Sequence, residues 1–429
     1  MPKKRLMLLG GLRYLLPVIE AAHKQGYHVI TADYLPDNIA HKYSDEYCNV
    51  SVIDKDAVLE AAIRLKIDGI MSFAVDPGVI AASYVQNQLR LPSFGPYESV
   101  CILQNKDRFR RFLAENGFNV PSAKSYGSIE EALADTEWLE WPMIVKPTDS
   151  AGSKGVTRVD AIENYGNALQ QAFHNSLSGR AVVEQFIEQE GCSSDSDAFS
   201  LDGELKFVSF SAQRFDENAK NPYTPSGFSW PSTFDDSQEE YLRNELQRLL
   251  SLLGMQTSIY NIETRIGKDG KPYIMEVSPR GGGNRLAEMV RLSAGVDLIT
   301  ACVRASVGDE VNMEIIRPAY NGHWAEIVLH SSIDGTFEDV VISEEMQPYL
   351  VEKEIRVSKG ERVRAFMGAN DAVGTIVMNF PDRHIMEQAL SDQTKWCIVK
   401  VNNMNINNLN IGGGEALNPE ASSMYKLAA

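Results

Sequence analysis

The sequence predicts a multidomain protein of α/β and α+β type. Three observations carry this. Short apolar strands alternate with helical patterns over residues 5 to about 95, which implies βαβ units and a parallel sheet. From Trp141 the pattern shifts to paired strands joined by Gly-containing turns. From about 320 to 400 the chain reads mostly as strands. A length of 429 residues leaves room for two or three domains with sizeable cores.

In the first segment, Leu6–Leu9 reads as a buried strand ending at Gly10-Gly11, followed by a helical pattern from Tyr14 to Lys24 that Gly26 stops. Tyr27–Ala32 is the next strand, Tyr47–Ile53 a third, Ala57–Leu65 a helix and Gly69–Phe73 a fourth strand. Gly10-Gly11 lacks the spacing of a dinucleotide-binding loop, so a tight strand-to-helix turn is the preferred reading; Asp33 is a weak ribose-binding signal. Asp76-Pro-Gly lies at the carboxyl end of the fourth strand, where open α/β sheets tend to bind ligands. Pro92–Pro96 breaks the alternation as a linker.

Next, Asn105–Leu113 is a helix with Phe109, Phe112 and Leu113 on one face, and Lys106 in its first turn. A short helix begins at Ile129. Pro142–Pro147 is a strand with Lys146 near its end, leading through Thr148–Gly155 into the strand Val156–Val159. Strand, small-residue loop, strand is the form of a glycine-rich flap whose amides can wrap phosphates, although alone it is more often a plain hairpin. It is not a Walker A loop, since G-x-x-x-x-G-K-[ST] is missing. A helix over Ala161–Ser176 precedes the strand Ala181–Glu188, and strands at Ser196–Leu201 and Leu205–Ser211 flank Asp202-Gly203. Arg214–Phe234, long and aromatic, is expected to be an irregular lid. Ser237–Leu253 is an amphipathic helix.

Tyr260–Ile266 and Pro272–Val277 read as a β-hairpin around Lys268-Asp-Gly-Lys271, so Glu263 and Glu276 are expected to face each other. Opposed like charges are unfavourable unless neutralised, and hard carboxylate oxygens on strands suit Mg²⁺ bound with phosphates. Two solvated carboxylates are the bland alternative. Arg280 and Gly281–Gly283 follow, then helical patterns at Leu286–Ser293 and Val296–Val307. Beyond these come strands at Trp324–Leu329, Val351–Val357, Arg364–Met367, Gly374–Asn379 and Trp396–Val401, with a helix over Asp382–Leu390.

Lys106, Lys146, a glycine-rich hairpin, Glu184 on an apolar strand, then Glu263, Glu276 and Arg280 form an ordered set, and in this order the chain resembles the ATP-grasp superfamily, in its carboxylate–amine ligase branch. L-amino acid ligases and proteins like carbamoyl-phosphate synthase and biotin carboxylase are similar in this respect. The resemblance implies an N-terminal parallel α/β domain over 1–95, an ATP-grasp domain of two α+β subdomains over 96–310 with a small lid subdomain at about 120–190, a C-terminal β-rich module over 311–402 and a flexible tail over 403–429.

Residue by residue, it implies that Lys106 and Lys146 touch nucleotide phosphates, with the loop of Ser150, Gly152, Ser153, Lys154 and Gly155 closing over them. Glu184 would accept from the adenine amino group, and Phe186 and Ile187 would hold the ring edge. Glu190 would take the ribose, one step before the family's usual position, here Gly191. Glu263 and Glu276 would bind Mg²⁺, for which Mn²⁺ can substitute. Ser278 stands where the family commonly has a metal-ligating asparagine. Arg280 would bind the transferred phosphoryl group, and Lys146 and Arg265 complete the catalytic cations. The implied cofactors are ATP and Mg²⁺, and the implied reaction is ADP-forming C–N ligation of a small carboxylate to an amino acid or small amine. A bicarbonate-activating or purine-pathway enzyme, or a non-catalytic ATP-binding regulator, remains open. Homodimers are common in the family.

A net charge of −17 and a pI near 5.0 argue against sequence-independent nucleic-acid or anionic-membrane binding. Five scattered cysteines and seven dispersed histidines show neither a disulfide framework nor a zinc site. No run reaches the ~18 apolar residues of a membrane span, and no signal-peptide pattern opens the chain, so a cytoplasmic protein is expected.

Overall fold

The computed structural model describes residues 2–149 and 155–403. Two compact units result. The first takes in the described residues up to Asp149, then Gly155–Gln213 and Ser229–Trp324; the second takes in Arg214–Phe228 and the described residues from Ala325 on.

The first unit opens with β1 (Arg5–Leu9), β2 (His28–Asp33), β3 (Glu46–Asn49) and β4 (Gly69–Ser72), all parallel and ordered β3-β2-β1-β4. Leu6 to Leu9 are wholly buried, as a strand covered on both faces requires. The third strand is shorter than the sequence suggests. The helix Asp76–Leu89, invisible to the sequence reading, starts with proline in its first turn and follows β4 directly. Likewise, the residues after Pro96 fold at once into the helix Tyr97–Leu103.

A second, antiparallel sheet has the order β5-β8-β6-β7, from β5 (Ala123–Tyr126), β6 (Met143–Pro147), β7 (Thr157–Val159) and β8 (Ala181–Gln185). The helix Tyr165–His174 packs Tyr165, Ala168, Leu169 and Ala172 into its core. Gly155 has φ +69, and a Cβ there would lie 2.9 Å from Asn175 Cβ and 3.1 Å from Pro147 Cγ, so glycine is required on both counts.

The third sheet carries the site. Its strands β9 (Ser194–Leu201) and β10 (Glu204–Val208) are followed in the chain by β11 (Ala212–Phe215) and β12 (Pro225–Trp230), then by β13 (Ser258–Ile266) and β14 (Pro272–Ser278); its order is β10-β9-β13-β14, antiparallel throughout. The helix Asp236–Leu252, capped by a reciprocal Asp235–Gln238 box, buries Leu242, Leu246, Leu249 and Leu250.

The stretch Arg214–Phe234 is not the irregular lid expected from its length. Arg214–Phe215 and Pro225–Trp230 are strand, and three of its aromatics are core: Phe228 and Trp230 are fully buried, and Phe234 lies against Phe210 with ring centres 5.9 Å apart, while Phe215 and Tyr223 are half-buried. Burial of apolar rings outweighs the turn signals of Pro222, Pro225 and Pro231. The segment between β11 and β12 and the residues from Pro231 to Phe234 remain irregular.

In the second unit, β11 and β12 join β15 (His323–Leu329), with β16 (Gly335–Ile342), β17 (Leu350–Ile355), β18 (Arg362–Val363), β19 (Gly374–Phe380) and β20 (Cys397–Asn403) completing two sheets ordered β11-β12-β15-β19-β17 and β18-β16-β20. The sequence reading missed β16, whose apolar positions are interrupted by Glu338 and Asp339 and by a register shift. Among the described residues, no helix is long and apolar enough to cross a membrane.

Candidate active site

The central hairpin has the register that its turn and alternation imply. Glu263 pairs directly with Glu276, and Asn261 with Ser278. On the other flank of β13, Glu263 pairs with Asp195 and Asn261 with Asp197. Partners in register share a face, as do residues two apart on one strand. One face of the sheet therefore carries two rows, Asp195–Glu263–Glu276 and Asp197–Asn261–Ser278. Along β13, Asn261, Glu263 and Arg265 are half-buried while Ile262, Thr264 and Ile266 are fully buried on the opposite face.

Packing so many carboxylates together has electrostatic consequences. Burial pushes the Glu263 carboxyl up, and Glu276 adds to this against the pull of Arg265. Burial and the facing Glu263 drive Asp195 well above the usual carboxylate range. Asp197, fully buried, is pushed up to about 7 by burial, although its Oδ1 accepts from Gly282 N at 2.9 Å. Its other oxygen has no hydrogen-bond partner. A cation at the Glu263–Glu276 row would relieve the repulsion, and two opposed hard oxygen donors fit Mg²⁺. Among the described residues no three His, Cys, Asp or Glu side chains form a ready metal cage, so further ligands would have to come from phosphates and water.

Cations surround the row. Lys106 Nζ lies 3.7 Å from Glu276 Oε2. Lys146 on β6 pairs with Glu184 on β8, whose second oxygen accepts from Arg110 Nε at 2.9 Å. All three side chains are buried. Burial favours the neutral acid at Glu184, but Arg110 and Lys146 together outweigh it and hold the carboxyl down at about 2. Lys146 is pushed below the usual lysine range by burial, with Glu184 opposing. Arg265 donates to the Ile187 carbonyl at 2.9 Å and lies 5.7 Å from the Phe186 ring centre, with Arg158 at 4.5 Å from the same ring. Glu190 has an exposed side chain and is held through its backbone N–H, which donates to the Ile266 carbonyl. Ser150, Gly152, Ser153 and Lys154 lie outside the described residues; Gly155 ends that loop.

Arg280 is clamped rather than free. Its Nε and Nη2 donate to the two oxygens of Asp76 at 2.7 Å each, and Nη1 donates to Asn261 Oδ1 at 3.0 Å. Burial alone would raise Asp76, but Arg280 pulls it below the usual range. Ser278 donates to Asp76 Oδ1 at 3.0 Å and accepts from Gln104 Nε2 at 2.7 Å. A metal-ligating role for Ser278 has to compete with these two bonds. Gly281 fixes the approach of this loop to β4. A Cβ there would lie 2.2 Å from Phe73 Cε2, while its carbonyl accepts from Ala74 N at 3.0 Å.

Of the residues that the sequence points to, Lys106, Lys146, Glu184, Glu263, Glu276 and Arg280 all lie in the first unit, on two of its sheets and the segments beside them. Arg110, Asp195, Asp197 and Asn261, beside them in the structure, do not stand out in the sequence, and neither does the partnership of Asp76 with Arg280. Arg110 had a usable signal, four residues after Lys106 on one helix face.

The family model of the ATP-grasp domain matches residues 103–284. The carbamoyl phosphate synthase large chain of Pseudothermotoga lettingae is 24% identical over 330 residues, which are 73% of this chain and 29% of that protein. The chain thus spans under a third of the length of the curated relatives matched first. The formate-dependent phosphoribosylglycinamide formyltransferase of Synechococcus is 28% identical over 186 residues, 43% of this chain and 48% of that one. The crystal structure of L-amino acid ligase from Bacillus licheniformis aligns with a TM-score of 0.77 at 21% identity, covering 94% of this chain and all of that one.

Proposed function

We propose that the chain is an ATP-dependent carboxylate–amine ligase, joining a small carboxylate to an amino acid or small amine and releasing ADP and phosphate. The observation that carries the reading is the direct pairing of Glu263 with Glu276 inside a ring of Lys106, Lys146 and Arg280. Phosphoryl transfer requires positioning and charge neutralisation more than covalent participation, and this inventory supplies both. Lys106 and Lys146 bind the nucleotide phosphates, together with the loop through Ser150, Gly152, Ser153, Lys154 and Gly155. Phe186 and Ile187 hold the adenine, beside Glu184, and Glu190 reaches the ribose.

Glu263 and Glu276, with Ser278 nearby, hold Mg²⁺, which when bound neutralises phosphate charge. Arg280, steered by Asp76, and Arg265 stabilise the anionic groups at the reacting end. The substrate carboxylate attacks the γ-phosphorus and ADP leaves. The amine then attacks the acyl carbon, loses a proton and expels phosphate. The fold shared with an L-amino acid ligase supports an amine as acceptor. A bicarbonate-activating reaction is the second reading, favoured by the carbamoyl phosphate synthase relatives.

ADP release measured with pooled amino acids and carboxylates, and separately with bicarbonate, distinguishes the two. Amino-acid-dependent release is expected, and bicarbonate-dependent release alone would transfer the assignment to the second reading. Glu276→Ala is expected to lower turnover by at least about a thousandfold, the upper scale seen when one transition-state charge stabiliser is lost, with the far-UV spectrum unchanged. Retained turnover would overturn the site.

A further inference from the structure

Arg110 lies one turn beyond Lys106 on the helix Lys106–Glu115, and 5% of it is exposed. Its guanidinium joins two strands. Nε donates to Glu184 on β8 at 2.9 Å, and Nη1 donates to the Met275 carbonyl on β14 at 2.8 Å. Met275 occupies a particular place in the hairpin. Glu263 pairs with Glu276 and Thr264 with Ile274, so the register shift leaves Met275 without a partner on β13. A bulged residue drops out of the ladder, and its carbonyl needs another donor. Arg110 is that donor.

We infer that Arg110 is a positioning residue that couples the phosphate-facing Lys146 to the metal-facing Glu276. Through Glu184 it fixes the carboxylate that holds Lys146. Through the Met275 carbonyl it holds the bulge that sets Glu276 opposite Glu263. Without the bulge the register would slip by one residue and turn Glu276 to the other face. Charge gives a second reason. Glu184 with Lys146 alone would be a neutral pair, whereas two cations against one carboxylate leave net positive charge beside the phosphates. The inference rests on the nucleotide and metal reading proposed above.

The test uses the full chain and two variants, with ADP affinity measured calorimetrically in EDTA and Mn²⁺ affinity of the ADP complex measured by electron paramagnetic resonance. Arg110→Met, which keeps an unbranched apolar stem and loses the guanidinium, is expected to weaken each about tenfold or more, the scale of one lost hydrogen bond to a charged group. Arg110→Lys supplies a point charge that can reach Glu184 or the carbonyl, not both. It is expected to restore ADP affinity to within about threefold while Mn²⁺ affinity stays depressed about tenfold. A merely structural role predicts that the lysine variant rescues both affinities together or neither, and either result overturns the inference. So do unchanged affinities in a folded Arg110→Met chain. Should that chain fail to fold, the lysine variant carries the same comparison. If the unaltered chain binds no ADP, the nucleotide reading falls and this inference with it; if it binds ADP and the variants match it, only the Arg110 assignment falls.

Discussion

At the scale of single residues, the cost of crowding carboxylates is visible at Asp197. Its folded form holds a proton up to about pH 7, whereas the unfolded chain releases it near 3.8. The folded state therefore binds more protons, so this group's contribution to stability is greatest below about pH 4, falls as the pH rises from there to about 7, and is level above. Asp197→Asn keeps an oxygen for Gly282 N and removes the titration. Urea unfolding should show the variant gaining on the natural chain by roughly 1–3 kcal/mol between pH 5 and pH 8. An equal stability difference at the two pH values would refute the assignment. Residues of this kind were hard to read in advance. Asp195 and Asp197 sit in a run where both strand faces are polar, so no alternation marks them. Asp76 and Arg280 are 204 residues apart, and no local pattern links them.

At the scale of elements, the hairpin and the parallel strands were legible because each carries its own signal. Asp269-Gly270 makes the turn, and period-two alternation sets the faces. Short strands without such a signal, among them β5 and β16, do not show in the sequence, and the aromatic segment around β12 reads there as a lid. Its rings are instead buried side chains of a sheet strand. The helix Asp236–Leu252 shows a local device whose effect can be isolated. Asp235 Oδ1 accepts from Gln238 N at 2.9 Å while Gln238 Oε1 accepts from Asp235 N at 3.0 Å. Asp235→Ala should cost about 1 kcal/mol in a denaturant melt, with ADP affinity unchanged. A loss of ADP affinity would mean that the cap also shapes the site through β14, against which this helix packs.

At the scale of the whole molecule, a ligand that binds only the folded chain raises its stability by mass action, by ~2.7 kcal/mol at about a hundredfold excess over Kd. Thermal unfolding is expected to shift upward with ADP and further with ADP and Mg²⁺. In Glu276→Ala the Mg²⁺-dependent increment should vanish while the ADP shift remains. Persistence of the Mg²⁺ increment would place the metal elsewhere.

The sequence by itself determined the alternating N-terminal sheet, the hairpin register and the order of Lys106, Lys146, Glu184, Glu263, Glu276 and Arg280, because periodicity and turn chemistry are local. Only the tertiary structure decided what those groups touch. Arg280 is held by Asp76, Ser278 is engaged by Asp76 and Gln104, and Glu184 is shared by Lys146 and Arg110. The structure also sets a further carboxylate, Asp195, opposite Glu263 on the other flank of β13. Buried charges must find partners, and the partners are set by which strands and helices pack together, not by spacing along the chain.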